Sequence, residues 1–334
     1  MKEYILKRLA MLIVVLLGVS VITFVLVRAA PGDPAIHFAG EHASVEVLER
    51  IREKYHLNDP IYVQYYIWIK MALQGDLGRS IESRELVTTE IMERLPMTLE
   101  LSLVAIIIAS IFGIIAGILS AVRQYSAVDY SVMFGALFGV SMPVFWLGLM
   151  MLFIFGVKLG VLPVGGRLSV GIDLERITGM YVLDSILTGN WEALIDSIRH
   201  LILPSVALAT IPMATIARMT RSSMLEVLRQ DYIRTERAKG LSERVVVYKH
   251  AIRNALIPVI TVVGMNVGLL MGGAVLTETI FTLPGLGKYI ADAILAYDYP
   301  VIQGFTIFFA TAFVMINLMT DLIYVYIDPR IKYR

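Results

Sequence analysis

No cysteine occurs among the 334 residues. Disulfides, thiolate metal sites and cysteine nucleophiles are therefore excluded, and the redox compartment leaves no mark on the sequence. Charge is scarce as well: Asp, Glu, Lys and Arg make up 17% of the chain against 57% hydrophobic residues, and mean hydropathy is +0.73. A soluble chain carries about 25% charged residues, so this composition is that of a membrane protein. Histidine is limited to His37, His42, His56, His200 and His250, all in loops or at the ends of apolar runs. GVSM, Gly139–Met142, has the short G-x-S pattern of a serine nucleophile, but Ser141 has no histidine base near it in its span. No H-E-x-x-H is present. LPGLGKY, Leu283–Tyr289, is not a phosphate-binding loop, because Thr282 stands where glycine is needed and Tyr289 where serine or threonine is needed. No catalytic residue, metal site, cofactor or nucleic-acid partner is expected, and the chain does not hydrolyse ATP itself.

What is present is a set of long apolar runs. About 20 apolar residues cross about 30 Å of hydrocarbon, and six stretches suffice: Leu9–Val27, Leu99–Val122, Ser131–Val157, Leu201–Ala217, Ala255–Leu276 and Val301–Ile327. The first follows Lys2, Lys7 and Arg8, but it exceeds the apolar core of a signal peptide, and Pro31 and Pro34 crowd its small-residue exit, so it is expected to stay as an anchor. The fold class is therefore all-α and polytopic. Basic residues in short loops set orientation. Lys2, Lys7, Arg8, Arg123, the group from Arg218 to Arg253, and Arg330, Lys332 and Arg334 share one side, which places both termini in the cytoplasm. The resulting segments are 1–30, an extracytoplasmic 31–98, a membrane core 99–327 with an external loop 158–200 and an internal loop 218–254, and a tail 328–334.

In the external parts, Asp59 and Pro60 read as a cap and first turn of a helix that runs to a turn at GDLG, Gly75–Gly78. MYVLDSIL is too short, and too interrupted by Asp184, to cross a membrane, and reads as a surface helix. A short helix is expected over Lys288–Ala296. Inside the spans, Gly264, Gly268 and Gly272 recur every four residues and make one smooth face. That face serves helix packing, or sliding contacts that let the bundle change shape. Gly113 with Gly117, and Gly135 with Gly139, repeat the pattern more weakly. Pro143, Pro204 and Pro212 each remove a backbone donor, so kinks are expected there. Ionisable residues are nearly absent from the spans, and Asp321 reads as a tether to a basic loop residue such as Arg218. The membrane-embedded part is thus short of chemistry to couple an ion gradient, which leaves an ion-coupled carrier or channel as the lesser alternative.

The charged passage DYIRTERAKGLSERVVVYKHAIRN, Asp231–Asn254, stands between two spans. Asp231 can cap one helix and Gly240 can supply its left-handed stop. Ser242 can then cap a second helix, with Glu243 in its first turn. Leu241, Val245, Tyr248 and Ile252 follow one face of that second helix, opposite Ser242, Glu243, Lys249, His250 and Arg253. Charge alone leaves three roles open: resting on anionic lipid, obeying the positive-inside bias, or docking into a soluble partner.

RTERAKGLSERVVVYKHAIRN resembles the cytoplasmic EAA loop of binding-protein-dependent ABC transporter permeases. The rest of the chain resembles the dipeptide/oligopeptide permease family, B-type subunit, through RAAPGDP, GDLGRS, LPMTLELSL, PVFWLGL, LGVLPVGG, HLILPSVALA, TETIFTLPGLGKYIADAILAYDYPVIQG and the terminal DPRI. The resemblance implies an N-terminal helix added to a five-helix core. It also implies a homologous C-type subunit, two cytoplasmic ATPase subunits and an external solute-binding protein. The substrates it implies are peptides, with oligosaccharides or nickel complexes as alternatives. Carried over by position, the coupling residues are Arg234, Thr235, Glu236, Ala238, Lys239, Gly240, Leu241, Ser242 and Glu243, with Arg234, Thr235 and Glu236 standing where E-A-A gives the loop its name. Gly264, Gly268, Gly272, Pro143 and Pro212 become candidates for packing and gating.

Overall fold

The computed structural model describes residues 2–29, 35–36, 43–54, 56–271 and 274–327, and side chains within 11–29, 35–36, 43–53, 56–270 and 274–319. Gly272, the tail 328–334 and the RAAPGDP stretch beyond Ala29 lie outside these residues, as does the side chain of Asp321. The described residues are helical, with an isolated bridge between Arg79 and Leu86. Two compact units emerge, one from the residues before Met97 with Gly285–Met315, the other from Met97–Pro284 and the residues after Met315.

The helices are α1 Lys2–Ala29, α2 Val45–Lys54, α3 Ile61–Leu73, α4 Val87–Val122, α5 Ala127–Ser141, α6 Val144–Met151 and α7 Tyr181–Leu187. There follow α8 Trp191–Leu228, α9 Asp231–Ala238, α10 Glu243–Val245, α11 Ile252–Met271, α12 Val275–Ile280, α13 Leu286–Leu295 and α14 Tyr299–Ile327. Among the described residues, five helices are long and apolar enough to cross a membrane, and a sixth crossing is available if α5 and α6, with the π-helical Leu152–Lys158 that continues α6, count together. These agree in number with the expected spans but differ in form. The run expected as one span over Ser131–Val157 is broken, with a bend of 100° between α5 and α6. Pro143 sits at the break in extended conformation and has no N–H to continue α5. Pro204 and Pro212, where kinks are expected, lie inside an α8 that continues as one helix through both. The span expected over Ala255–Leu276 ends as a helix at Met271, and Leu276 belongs to α12.

Helices α4 and α8 also run past their expected limits. At about 1.5 Å per residue, the 38 residues of α8 extend about 57 Å, well beyond the hydrocarbon. The surplus turns carry α8 from the loop over 158–200 to the charged passage. Within the second unit, Leu101, Ala105 and Ala109 line one face of α4 and join Leu208, Ala209 and Ile216 of α8, Val259 and Leu270 of α11, and Phe281 and Leu283. Lipid gives helices no hydrophobic reason to associate, so close approach of backbones has to supply the contact. Gly113 and Gly117 provide it: a Cβ on Gly113 would lie 2.8 Å from Met213 O, and one on Gly117 would lie 2.5 Å from Thr220 Cβ and 2.6 Å from Ala217 O.

Buried acidic groups in this unit are held by ion pairs or hydrogen bonds. Arg221 of α8 donates through Nε and a terminal nitrogen to the two oxygens of Asp129 on α5, at 2.7 and 2.8 Å, and Asp129 also accepts from Ser120 and from Tyr125 N. Arg167 reaches Glu100 at 2.8 Å and lies 3.5 Å above the ring of Tyr181. Thr98 donates to the buried Glu278 at 2.8 Å. The helix expected around MYVLDSIL is present as α7, and Asp184 is fully buried in it. Burial alone would raise the Asp184 carboxyl. Donation from the Thr178 hydroxyl and from the backbone of Thr178 and Gly179 outweighs that and holds it below its ordinary value.

In the first unit, Phe24 of α1 packs against Tyr65 and Trp68 of α3, and Ser20 shares a hydrogen bond with the Tyr65 hydroxyl at 2.8 Å. Asp59 was expected to cap α3. Instead Pro60 precedes the helix without a side-chain cap, Asp59 pairs with His56 at 2.9 Å, and the Gln64 amide donates back to the carbonyls of Leu57 and Asp59. The GDLG turn has Gly75 and Gly78 in the left-handed region, as the sequence suggests. Asp298 anchors the preceding loop, accepting from Ser80 Oγ at 2.6 Å and Ile81 N at 2.8 Å.

The α4–α8 contact makes a direct prediction. Gly117→Ala forces the two helices apart and is expected to cost about 1–3 kcal/mol, the usual range for overpacking. Gly135, with no atom within 4 Å of a Cβ, is the control. Thermal unfolding of the purified chain should show a drop for Gly117→Ala and none for Gly135→Ala.

Candidate functional site

The passage from Arg229 to Asn254 folds as an elbow. Helix α8 ends at Leu228, Gln230 turns the chain in extended conformation, and α9 runs over Asp231–Ala238. Asp231 is the first residue of α9 rather than its cap, and its carboxylate faces Arg234 at 3.5 Å. Lys239 closes α9, and Gly240 then takes φ +83°. A Cβ at Gly240 would meet nothing within 4 Å, so glycine is required for backbone conformation and not for space. Another residue type there costs about 1–2 kcal/mol.

Helix resumes at Glu243. Ser242 occupies the capping position, but its side chain makes no capping bond. Glu243 accepts from Arg237 Nε at 3.1 Å and from an Arg237 terminal nitrogen at 2.6 Å, a two-pronged clamp that spans Gly240. Lys239 pairs with Glu236 at 3.0 Å, and this hydrogen bond holds the Glu236 carboxyl below its ordinary value. Asn254 donates to the Tyr232 hydroxyl at 2.7 Å and links the start of α11 to α9.

The apolar face drawn from the sequence is not the one that packs within the chain. Val246–Ala251 is a π-helix, and its i→i+5 spacing rotates the side chains away from the i, i+4, i+7 face drawn from the sequence. Val246, Val247, Ala251 and Ala255 are buried, together with Ile233 of α9, against Ile118 and Ala121 of α4 and Met224 of α8. Ile252 packs partly against that cluster, whereas Leu241, Val245 and Tyr248 are exposed, Tyr248 at 63%. The elbow therefore has an apolar underside seated on two long helices, α4 and α8. Its free surface mixes Leu241, Val245, Tyr248 and Tyr232 with the exposed Arg234, Lys239, Arg244 and Lys249.

Of the expected coupling residues, Arg234, Thr235, Ala238, Lys239, Gly240, Leu241, Ser242 and Glu243 are all exposed and Glu236 is half-buried. They lie together on the two short arms of the elbow. The gating candidates lie elsewhere: Gly264 is half-buried and Gly268 buried in α11, Pro212 is buried in α8, and Pro143 marks the α5–α6 break. Sequence reasoning missed the seat and the Asp129–Arg221 pair. Arg221 was counted only as a loop charge, yet SAVD, Ser126–Asp129, carries a Ser three residues before an acid, the pattern of a helix start. Ser126 does cap α5, accepting from Asp129 N at 3.3 Å.

The seat and the clamp differ in strength. Ile233→Ala removes buried methylenes and is expected to raise amide hydrogen exchange across 231–251 at least about tenfold, since such truncations cost 2–5 kcal/mol. Glu243→Gln, which weakens an exposed pair, is expected to change it less than about fivefold.

Comparison with known proteins adds a second line of information. A family model described as "Binding-protein-dependent transport system inner membrane component" matches residues 113–333, a span that includes the whole elbow. Its companion, "Binding-prot-dependent transport system membrane comp, N-term", matches residues 1–102. The chain is 53% identical over 333 residues to the dipeptide transport system permease protein DppB of Alkalihalophilus pseudofirmus, covering 100% of both chains. It is 47% identical to the di/tripeptide transport system permease protein DppB of Pseudomonas aeruginosa, and 44% identical to the oligopeptide transport system permease protein AppB of Bacillus subtilis, again over 100% of both chains.

Proposed function

This chain belongs to the family of binding-protein-dependent transport system inner membrane components, and from that premise we propose that it forms one membrane half of an ATP-driven peptide importer. It is a multi-pass inner-membrane permease subunit that works with other components of an ABC transporter, and not an enzyme. The observation that carries the substrate class is full-length identity of 44–53% to permeases named for dipeptides, di/tripeptides and oligopeptides. Those names favour peptides over the oligosaccharide and nickel-complex alternatives.

The finer partners are a homologous C-type permease, two cytoplasmic ATPase subunits and an extracytoplasmic solute-binding protein. ATP is hydrolysed in the ATPase subunits. The excess of Lys and Arg in loops on one side supports termini and elbow in the cytoplasm. The elbow then offers its exposed apolar and basic surface to an ATPase groove, through the run Arg234–Glu243 together with Val245 and Tyr248 on the π-helical arm. Apolar side chains ringed by charge are a common make-up for a docking surface.

Movement of the ATPase passes through the seat. Ile233 bears on Met224 of α8 and on Val246 and Ala251 at the root of α11, so a push on α9 displaces the ends of two spans together. The α5–α6 break at Pro143 and the small residues Gly264 and Gly268 are the proposed points where the bundle yields, with Gly272 and Pro212 alongside them. The cavity between the two permease halves opens alternately to either side while the solute-binding protein selects the peptide.

Gly240→Val is the test. A β-branched residue at φ +83° is expected to lower peptide uptake by the reconstituted transporter about tenfold or more, whereas Gly240→Asn, which tolerates the left-handed region, retains most of it. Unchanged uptake and unchanged ATPase co-purification with Gly240→Val would remove the elbow from the mechanism.

A further inference from the structure

Four buried polar atoms without partners belong to residues that line one cavity of about 340 Å³ in the first unit. Arg28, in the last turn of α1, contributes a guanidinium Nε with no hydrogen-bond partner among the described residues. Trp68 Nε1 of α3 and Gln303 Nε2 of α14 are donors in the same condition, and Gln64 Oε1 of α3 is an acceptor in the same condition. Gln303 is 4% exposed and Gln64 9%. The Gln64 amide nitrogen is fixed by the carbonyls of Leu57 and Asp59, which leaves its oxygen available to the cavity.

Buried polar atoms are nearly always bonded, so four around one cavity point to a ligand. Three donors and one acceptor, one of the donors cationic, select an anion that also carries a hydroxyl. Asp76 lines the cavity too, but its carboxylate accepts from Gly78 N at 2.9 Å and makes no ion pair with Arg28. Water could bond the neutral amides, yet it would leave the Arg28 charge without a counter-ion among the described residues. Depth identifies the anion. The apolar run of α1 ends at Val27, so Arg28 comes at the level of lipid headgroups, and Trp68 beside Tyr65 is the kind of aromatic pair that marks that level. The anion abundant there is phosphate, which a guanidinium binds through paired N–H donors. Ile67 and Met71 add an apolar wall for the chain that follows the headgroup.

We propose that this cavity binds a phosphate-bearing anion, the headgroup of an anionic phospholipid from the leaflet at the C-terminal end of α1. Arg28 grips the phosphate, Trp68 and Gln303 donate to it, and Gln64 accepts from a headgroup hydroxyl such as that of phosphatidylglycerol. The site is independent of the elbow and does not depend on which solute is carried.

The chain has three tryptophans, and Trp146→Phe with Trp191→Phe leaves Trp68 as the sole reporter. The full chain is placed in phosphatidylcholine nanodiscs, and brominated phosphatidylglycerol is compared with brominated phosphatidylcholine as a quencher. Half-quenching is expected at an about fivefold lower mole fraction of phosphatidylglycerol, the preference one basic residue confers. Arg28→Gln should abolish the preference, and Gln303→Leu, which leaves the charge in place, should weaken it. A saturable response of Trp68 emission to millimolar inorganic phosphate in discs lacking phosphatidylglycerol, without a lipid preference, supports the phosphate chemistry and assigns its source to solution. Equal quenching by both lipids with no response to phosphate overturns the site, as does a preference that survives both substitutions.

Discussion

The burial of Ile233 against Val246, Val247, Ala251 and Met224 joins the elbow to the membrane bundle, and the mechanical reading depends on it. Fully burying such a side chain contributes about 1.5–3 kcal/mol. The exposed pairs on the elbow, Arg237–Glu243, Lys239–Glu236 and Arg234–Asp231, contribute about 0–1 kcal/mol each. The apolar seat therefore sets how firmly the arms hold to the helices, while the ion pairs shape the arms. Gly240 lets the two arms meet at their angle without strain. A lever that slipped on its seat would absorb a push instead of passing it on.

Deeper in the bundle a different physics applies. Between spans, lipid removes the hydrophobic incentive to pack, and contact comes from small residues and from paired charges. Gly113 and Gly117 bring α4 against α8, and Asp129 with Arg221 pins α5 to the same helix. Removing one member of such a buried pair strands the other and costs about 3–5 kcal/mol. The unit that carries the elbow is thus organised around α8, which packs against α5, α6, α7, α11 and α12 and whose last turns lie in the seat. Its length connects the loop over 158–200 with the elbow in one continuous helix.

Much of this was legible in the sequence. Apolar runs located every crossing helix, because a span needs uninterrupted apolar length and few other structures have it. Gly240 was legible because a glycine closing a short charged helix has one common conformational reason. Three features were not. The turns of α4 and α8 beyond the bilayer mix polar and apolar residues, so a hydropathy criterion stops short of them. A kink at Pro143 was expected, but that it becomes a 100° break, while Pro204 and Pro212 sit in an unbroken helix, depends on what packs around each. The π-helix at Val246–Ala251 inserts a residue into the turn, so a fixed periodicity does not reveal that Val246, Val247 and Ala251 form the packed face. Leu241, Val245 and Tyr248, which the sequence marks as one apolar face, are exposed.

The absence of cysteine makes the central claim open to one direct measurement. With Tyr248→Cys as the only thiol, inside-out membrane vesicles are treated with a membrane-impermeant maleimide, with and without the ATPase subunits. The account expects rapid labelling of the permease alone and protection once the ATPases assemble. Labelling at the same rate in both preparations, or labelling only from the opposite face of the membrane, would contradict it.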